Sequence, residues 1–305
     1  CATHEKKEQF EVLTPKGAPN WKVRFTPTQP GTYRYSIAIN GRQVWPERGT
    51  ASFTATGSNS PGFVRIAKDK RHFEFTNGKF FYPVGHNLRS PTDGRNRDAY
   101  EGNFVQDWHR NTYLYDDFLK KMKENGLNWA RVWQCSWWMG LEWTREWPGY
   151  HGVGRYNLEN AWRLDHLLEL ARQNGVYFQL DTTNHGQLSL EIDSEWAHNP
   201  YNKNNPVDKG PLTLPRYFFS TDDARKHYSK RIRYTTARWG YDPNIFSWIL
   251  LTECEFTDPY WSVAYDNEES GRLPLLVQWQ EYAAGLFKSW DPNHIVSTHF
   301  SHPWR

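Results

Sequence analysis

The first residues to weigh are carboxylates at the end of an apolar run, because a carboxyl in such a place does proton chemistry. Ile245 to Leu251 is such a run, and Thr252, Glu253, Cys254 and Glu255 follow it. Apolar Leu251 and Phe256 flank Glu253, so its charged form is expected to be disfavoured and its pKa raised, which suits a proton donor. Other polar groups close comparable runs: His86 and Asn87, Arg131, Asn184 and His185, and His299 with His302. Trp133, Trp137, Trp138 and Trp143 cluster behind Arg131. Each has two readings. Arg131 either orients a catalytic group or forms a structural ion pair. Asn184, His185, His86 and Asn87 either contact a ligand or hydrogen-bond within loops. The tryptophans form either a stacking platform or a packed lid. The histidines have no metal-ligand spacing to recommend them.

Alternating helices and strands would bring these groups together. Helices are predicted over Tyr115 to Asn125, closed by Gly126; Leu158 to Asn174, closed by Gly175; and Asp222 to Trp239, closed by Gly240. A fourth runs from Leu275 to Trp290, begun by Pro274 and followed by Asp291-Pro292. Leu164, Leu167, Leu168 and Ala171 fall on one helix face, as do Tyr228, Ile232, Thr235 and Trp239. Short apolar strands follow the helices: Asn128 to Trp133, Val176 to Leu180, Ile245 to Leu251, and Ile295 to Thr298. With Phe80 to Val84 ahead of them they make a parallel sheet of five, and the chemistry of such folds gathers at the strands' carboxyl ends. The long connections Arg89 to Leu114 and Gln187 to Phe219 lie on that same side.

Ahead of this grammar the pattern is different. Trp21, Val23 and Phe25 alternate in the strand period, then Tyr33, Tyr35, Ile37 and Ile39 after the turn Pro30-Gly31, then Val44 after Asn40-Gly41. These predict antiparallel hairpins. Residues 1–57 read as a small all-β sandwich, 58–62 as a Gly/Ser/Pro linker, and 63–305 as the α/β domain, entered by a hairpin over Phe63 to Ile66 and Phe73 to Phe75.

Composition excludes several classes. Lys+Arg 37 against Asp+Glu 34 leaves a net charge of only +3, with the signs interleaved, so nucleic acid is not an expected partner. No apolar run reaches the ~18 to 20 residues of a membrane helix, so no membrane span is expected. Cys1, Cys135 and Cys254 build neither a disulfide framework nor a metal site. Trp 17, Tyr 17 and Phe 17 are unusually many for a chain of low hydropathy, so rings near the surface are expected; such rings stack on sugars or fill large cores and interfaces.

The run from Ala237 through Asp242-Pro243-Asn244 and Trp248 to Glu253 resembles the fourth-strand region of clan A glycoside hydrolases, the cellulase-like (β/α)8 barrels. Gly126 to Trp133 resembles their second strand, Gly78 to Asn87 their first, and Trp21 to Tyr33 the immunoglobulin-like domain that precedes some of them. The resemblance implies a TIM barrel, with its first five βα units present, behind an immunoglobulin-like sandwich. It also implies a glycosidase using no cofactor, acting on a β-linked polysaccharide or oligosaccharide, outside the cell or at its surface. Glu253 would be the acid/base. His86, Asn87, Arg131, Trp133, Trp137, Trp138, Asn184, His185, Thr252, Glu255 and His299 would line the substrate, with Arg131 orienting the nucleophile.

Retaining cleavage takes two carboxyls about 5 to 5.5 Å apart. On an extended strand Glu255 would point the same way as Glu253 at ~7 Å, so it is not the second. Clan enzymes take their nucleophile from strand seven, which the resemblance places beyond Arg305. The sequence is therefore expected to be part of something longer, cut at both ends, the remainder of the polypeptide being a partner of this piece. Thr252 stands where the clan has an asparagine that contacts the sugar 2-hydroxyl, and a threonine only partly replaces it. That departure supports the alternative of a catalytically inactive barrel that binds carbohydrate or serves as a cell-surface structural protein.

Overall fold

The computed structural model describes residues 2–7, 10–18, 20–91, 112–260 and 272–301. His302 and most of the connection between Arg89 and Leu114 lie outside them.

The helices end where the glycines and caps predict to within a residue, and the first and the fourth begin three residues ahead of their predicted starts. Strand β10 (Gly85–Arg89) leads to α1 (Thr112–Glu124), then β11 (Trp129–Trp133), α2 (Leu158–Asn174), β12 (Tyr177–Asp181), α3 (Asp222–Trp239), β13 (Ile245–Ile249), α4 (Arg272–Trp290) and β14 (Ile295–Ser297). Asn157 caps α2, its side chain accepting from the backbone N–H of Glu159 and of Asn160 at 3.0 Å. Gly175 ends that helix in the left-handed conformation, φ +67°. α4 begins two residues before Pro274, which a first turn tolerates because its N–H has no intrahelical acceptor. The predicted stripes of α2 and α3 are buried.

The five strands are all parallel and stand in the order β10-β11-β12-β13-β14. A sheet wound in one direction with no reversal of order is the topology of a barrel wall rather than of a doubly wound sheet.

Three antiparallel strands, β7 (Val64–Ile66), β8 (Phe73–Phe75) and β9 (Phe80–Phe81), close the amino-terminal end of that wall. Val64, Phe73, Phe75 and Phe81 pack with Trp129, Tyr177, Phe246 and Ile295, residues at or near the starts of β11 to β14. The first barrel strand is thus not Phe80 to Val84. Pro83, with no N–H for a ladder, separates β9 from β10. His86 and Asn87 therefore lie within β10, and both are exposed there.

The amino-terminal part is antiparallel, as expected, and is built as three two-stranded sheets: β1 (Ala2–Lys7) with β2 (Phe10–Pro15), β3 (Gly31–Tyr35) with β6 (Ala51–Ala55), and β4 (Ile37–Ile39) with β5 (Arg42–Trp45). The alternating segment Trp21, Val23, Phe25 joins no ladder among the described residues, and Trp21 is 99 % exposed. The first hairpin is fastened to the barrel instead, because Arg163 Nε on α2 donates to the buried Glu11 carboxylate at 2.6 Å.

Gly85 has a steric reason, since a Cβ there would sit 1.6 Å from the carbonyl oxygen of Trp129. Gly85→Ala is expected to destabilise the chain by about 1–3 kcal/mol or more. Gly57→Ala, in open space, should leave the denaturation midpoint unchanged, and comparing the two unfolding curves checks this.

Candidate functional site

Hydrogen bonds of the parallel ladder continue past the strand ends and staple four of them side by side. Gln134 N–H donates to Asp181 O at 2.8 Å, Thr182 N–H to Ile249 O at 3.0 Å, Leu250 N–H to Ser297 O at 2.9 Å, and Thr252 N–H to Thr183 O at 3.1 Å. Beyond β13 the extended chain stops. Glu253 takes the left-handed conformation, φ +53° and ψ +55°, and Cys254–Phe256 form a short 3-10 turn, so the strand alternation ends there.

That turn separates the two glutamates. Glu253 is partly exposed at the strand ends, with 23 % of its side chain open to solvent. Glu255 is buried and receives the backbone N–H and hydroxyl of Ser301 at 2.7 and 2.6 Å. The expectation that Glu255 shares the face of Glu253 assumed an extended strand, and the left-handed residue removes that premise. Glu255 is not placed to line a substrate.

Arg131, on β11, is buried beside Asp181 at the end of β12, and its Nε donates to Asp181 Oδ2 at 2.9 Å. Its Nη2 reaches the same oxygen at 2.7 Å and also donates to the hydroxyl of Thr252. Burial pushes the Asp181 carboxyl up to about 7 even though Arg131 pulls it down. Thr252 is buried, its hydroxyl engaged by Arg131, so the side chain cannot touch a sugar in this conformation.

His185 binds the Glu253 carboxylate, Nδ1 lying 2.9 Å from Oε2, and its other ring nitrogen is 3.4 Å from Asp193 Oδ2. Burial would raise the Glu253 pKa, but His185, Arg131 and His299 together outweigh it and hold the group below its ordinary value. This reverses the expectation drawn from Leu251 and Phe256: the polar neighbours that matter come from other strands. His299 is pushed down, first by burial and then by Arg131, and its Nδ1 accepts the backbone N–H of Glu253 at 3.4 Å. A neutral ring with its proton on Nε2 satisfies that contact.

The remaining candidates are placed less favourably. Trp133, Trp137, Trp138 and Trp143 are all buried at 2 % exposure or below, so they are core and not a stacking platform. Trp138 stacks on Tyr115 and Trp137 donates to Ser90 Oγ at 3.1 Å. Arg89 and Arg131 sit over Trp133. Asn184 is buried and donates to Glu195. The structure therefore gathers Arg131, His185, Thr252, Glu253 and His299, and adds Asp181 and Asp193. Asp181 closes its apolar strand as Glu253 closes another, a position the sequence marks without assigning it a role. Asp193 comes from the long connection after β12 and carries no local signal. Among the described residues no group of three or more His, Cys, Asp or Glu side chains is arranged to hold a metal ion.

This architecture recurs in solved structures. A candidate glycoside hydrolase from Bacteroides vulgatus superposes with a TM-score of 0.54 at 17% identity, over 98% of this chain and 51% of its own. The five-stranded parallel sheet and its helices match part of the (β/α) barrel of that structure. A glycoside hydrolase family 5 mannosidase from Rhizomucor miehei matches at TM-score 0.51 and 18% identity, over 79% of this chain and 56% of its own. An endo-1,4-β-mannanase from the same organism matches at 0.50 and 15%, over 78% and 60%. The chain thus spans about half the length of the first protein and under two thirds of the others. No protein-family profile and no curated protein matches the chain.

Asp181 has a consequence for stability. Its pKa is higher folded, at about 7, than its ordinary 3.8, so the folded state holds the extra proton between those values. Its contribution is fully present below about pH 4 and is lost as pH rises through about 7. Denaturant midpoints measured at several pH values should fall over that window in the wild type, and Asp181→Asn should flatten the slope.

Proposed function

We propose that this chain carries the acid/base carboxylate of a retaining glycoside hydrolase acting on a β-linked polysaccharide or oligosaccharide. One observation carries the reading: Glu253 stands partly open at the carboxyl ends of a parallel barrel wall, 2.9 Å from a buried histidine. The likeness to barrels of glycoside hydrolases supports it. Family 5 mannosidase and mannanase are names of those neighbours, and mannose-containing glycans are accordingly the first substrates to try.

The chemistry asks two things of Glu253. It must give a proton to the departing sugar oxygen and later take one from water. The histidine contact favours the anionic form of Glu253, ready for the second task. A sugar laid over the carboxyl removes its remaining water and raises its proton affinity, which prepares the first. Asp181 is held by Arg131, and Glu255 by Ser301, so neither of these two described acids is placed to serve as the attacking carboxylate. An immunoglobulin-like character for residues 1–57, the linker at 58–62, the barrel at 63–305 and a location outside the cell or on its surface belong to the same proposal and rest on the sequence resemblance.

Thr252 favours a second reading. Its hydroxyl is engaged by Arg131, so the site offers no amide for a sugar hydroxyl there, as a glycan-binding barrel without turnover would not.

Glu253→Ala in the full polypeptide separates the two. For an acid/base residue, turnover of a natural glycan should fall by about 10²- to 10⁴-fold. A dinitrophenyl glycoside, whose leaving group needs no proton, should still be opened, with azide then restoring turnover and yielding a glycosyl azide of retained configuration. Unchanged hydrolysis in the variant rules out the assignment; glycan binding with no product even in the wild type supports the second reading.

A further inference from the structure

The connection after β12 turns back on itself beside Glu253. The N–H of Glu195 donates to Gly186 O at 2.8 Å, and a Cβ on Gly186 would lie 2.4 Å from Asp193 O, so only bare backbone lets the returning limb close in. Glu195 is buried and pins the limb by accepting from Asn184 Nδ2 at 2.6 Å and from the hydroxyl of Ser136. Asp193 takes a left-handed conformation, φ +48°, which aspartate tolerates better than most residues.

The outcome is a row of three groups. Asp193 Oδ2 is 3.4 Å from His185 Nε2, and His185 Nδ1 is 2.9 Å from Glu253 Oε2. The ring is buried and meets Phe256 edge-on, with centroids 5.5 Å apart, which packs it between the two carboxylates.

We infer that Asp193 is a positioning residue for Glu253: its charge beside the outer nitrogen of His185 favours a cationic ring against the Glu253 carboxylate and so sets the pH range in which that carboxyl carries a proton. The inference rests on reading Glu253 as the acid/base.

Charges around the ring agree. Burial favours a neutral imidazole, but the contacts with Asp193 and Glu253 outweigh it and raise the His185 pKa. On the other side stand two groups that act against a second cation or share the anion, Arg131 on β11 and His299 after β14; Glu255, beneath, acts on His299. An imidazole lying between two carboxylates is favoured as the imidazolium, and a cation 2.9 Å away stabilises the Glu253 anion. Removing the Asp193 charge therefore weakens the imidazolium first and lets Glu253 hold its proton to higher pH.

Two measurements on the full polypeptide test this. Histidine-ring resonances, with His185 assigned by its loss in His185→Gln, give the ring pKa without any catalysis. Asp193→Asn should lower it by roughly one unit. The pH profile of kcat/KM on an unactivated glycoside should move its basic limb to higher pH in Asp193→Asn and in His185→Gln. Adding Asp193→Asn to His185→Gln should move it no further, because the residue acts through the ring. A His185 pKa indifferent to Asp193→Asn, a limb that stays or moves down, or an added shift in the double variant overturns the inference. Failure of the acid/base reading is distinct: it shows as full activity in Glu253→Ala and leaves the resonance titration to decide the Asp193–His185 coupling by itself.

Discussion

Arg131 and Asp181 are buried on neighbouring strands, and the hydrogen-bonded contact between them constrains everything around it. A buried guanidinium left without an acceptor would cost several kcal/mol, so the two groups must remain in register and in contact. Their contact fixes β11 against β12 at the strand ends. It also claims the Thr252 hydroxyl, which fastens the end of β13 to the same point. Glu253 is the next residue, and its left-handed turn starts from an anchored position. The exposed carboxyl is thus the last link of a chain of buried contacts, and its placement is inherited from them.

Around that anchor the carboxylates are sorted by their partners. Asp181 faces an arginine inside the protein, Glu255 a serine beneath the strand ends, and Glu253 a histidine at the edge of solvent. Only the last combines a titratable partner with open space. Chemical similarity in sequence, three acids near strand ends, becomes three different roles once depth and partner are specified.

The parts of this arrangement that were legible in the sequence are those with local causes. α2 and α3 fall on their predicted residues because a cap or an apolar stripe lies within each segment and a glycine follows it. Glu253 was visible because it ends an apolar run. Its pKa was not, since His185, Arg131 and His299 reach it from other strands and Leu251 and Phe256 do not decide its charge. The tryptophan cluster misled for a related reason: composition says that rings are plentiful, while burial depends on what packs over them, and here α1 supplies Tyr115 to cover Trp138. Pro83 was a local signal for ending β9, and the apolar run across it concealed that break. Asp193 had no local signal at all, because only the return of a long loop brings it to His185.

The aromatic floor built by β7, β8 and β9 leaves one end of the wall plugged with phenylalanines and the other free for polar groups. Such a plug divides the molecule's tasks by location. Aromatic rings cover the strands where they begin, and the carboxylates and histidines grouped around Glu253 lie where they finish. Mutations can then drift on the polar rim, changing which molecules are received, while the plug goes on holding the strands at their spacing; an evolutionary change of specificity need not pass through an unfolded intermediate form.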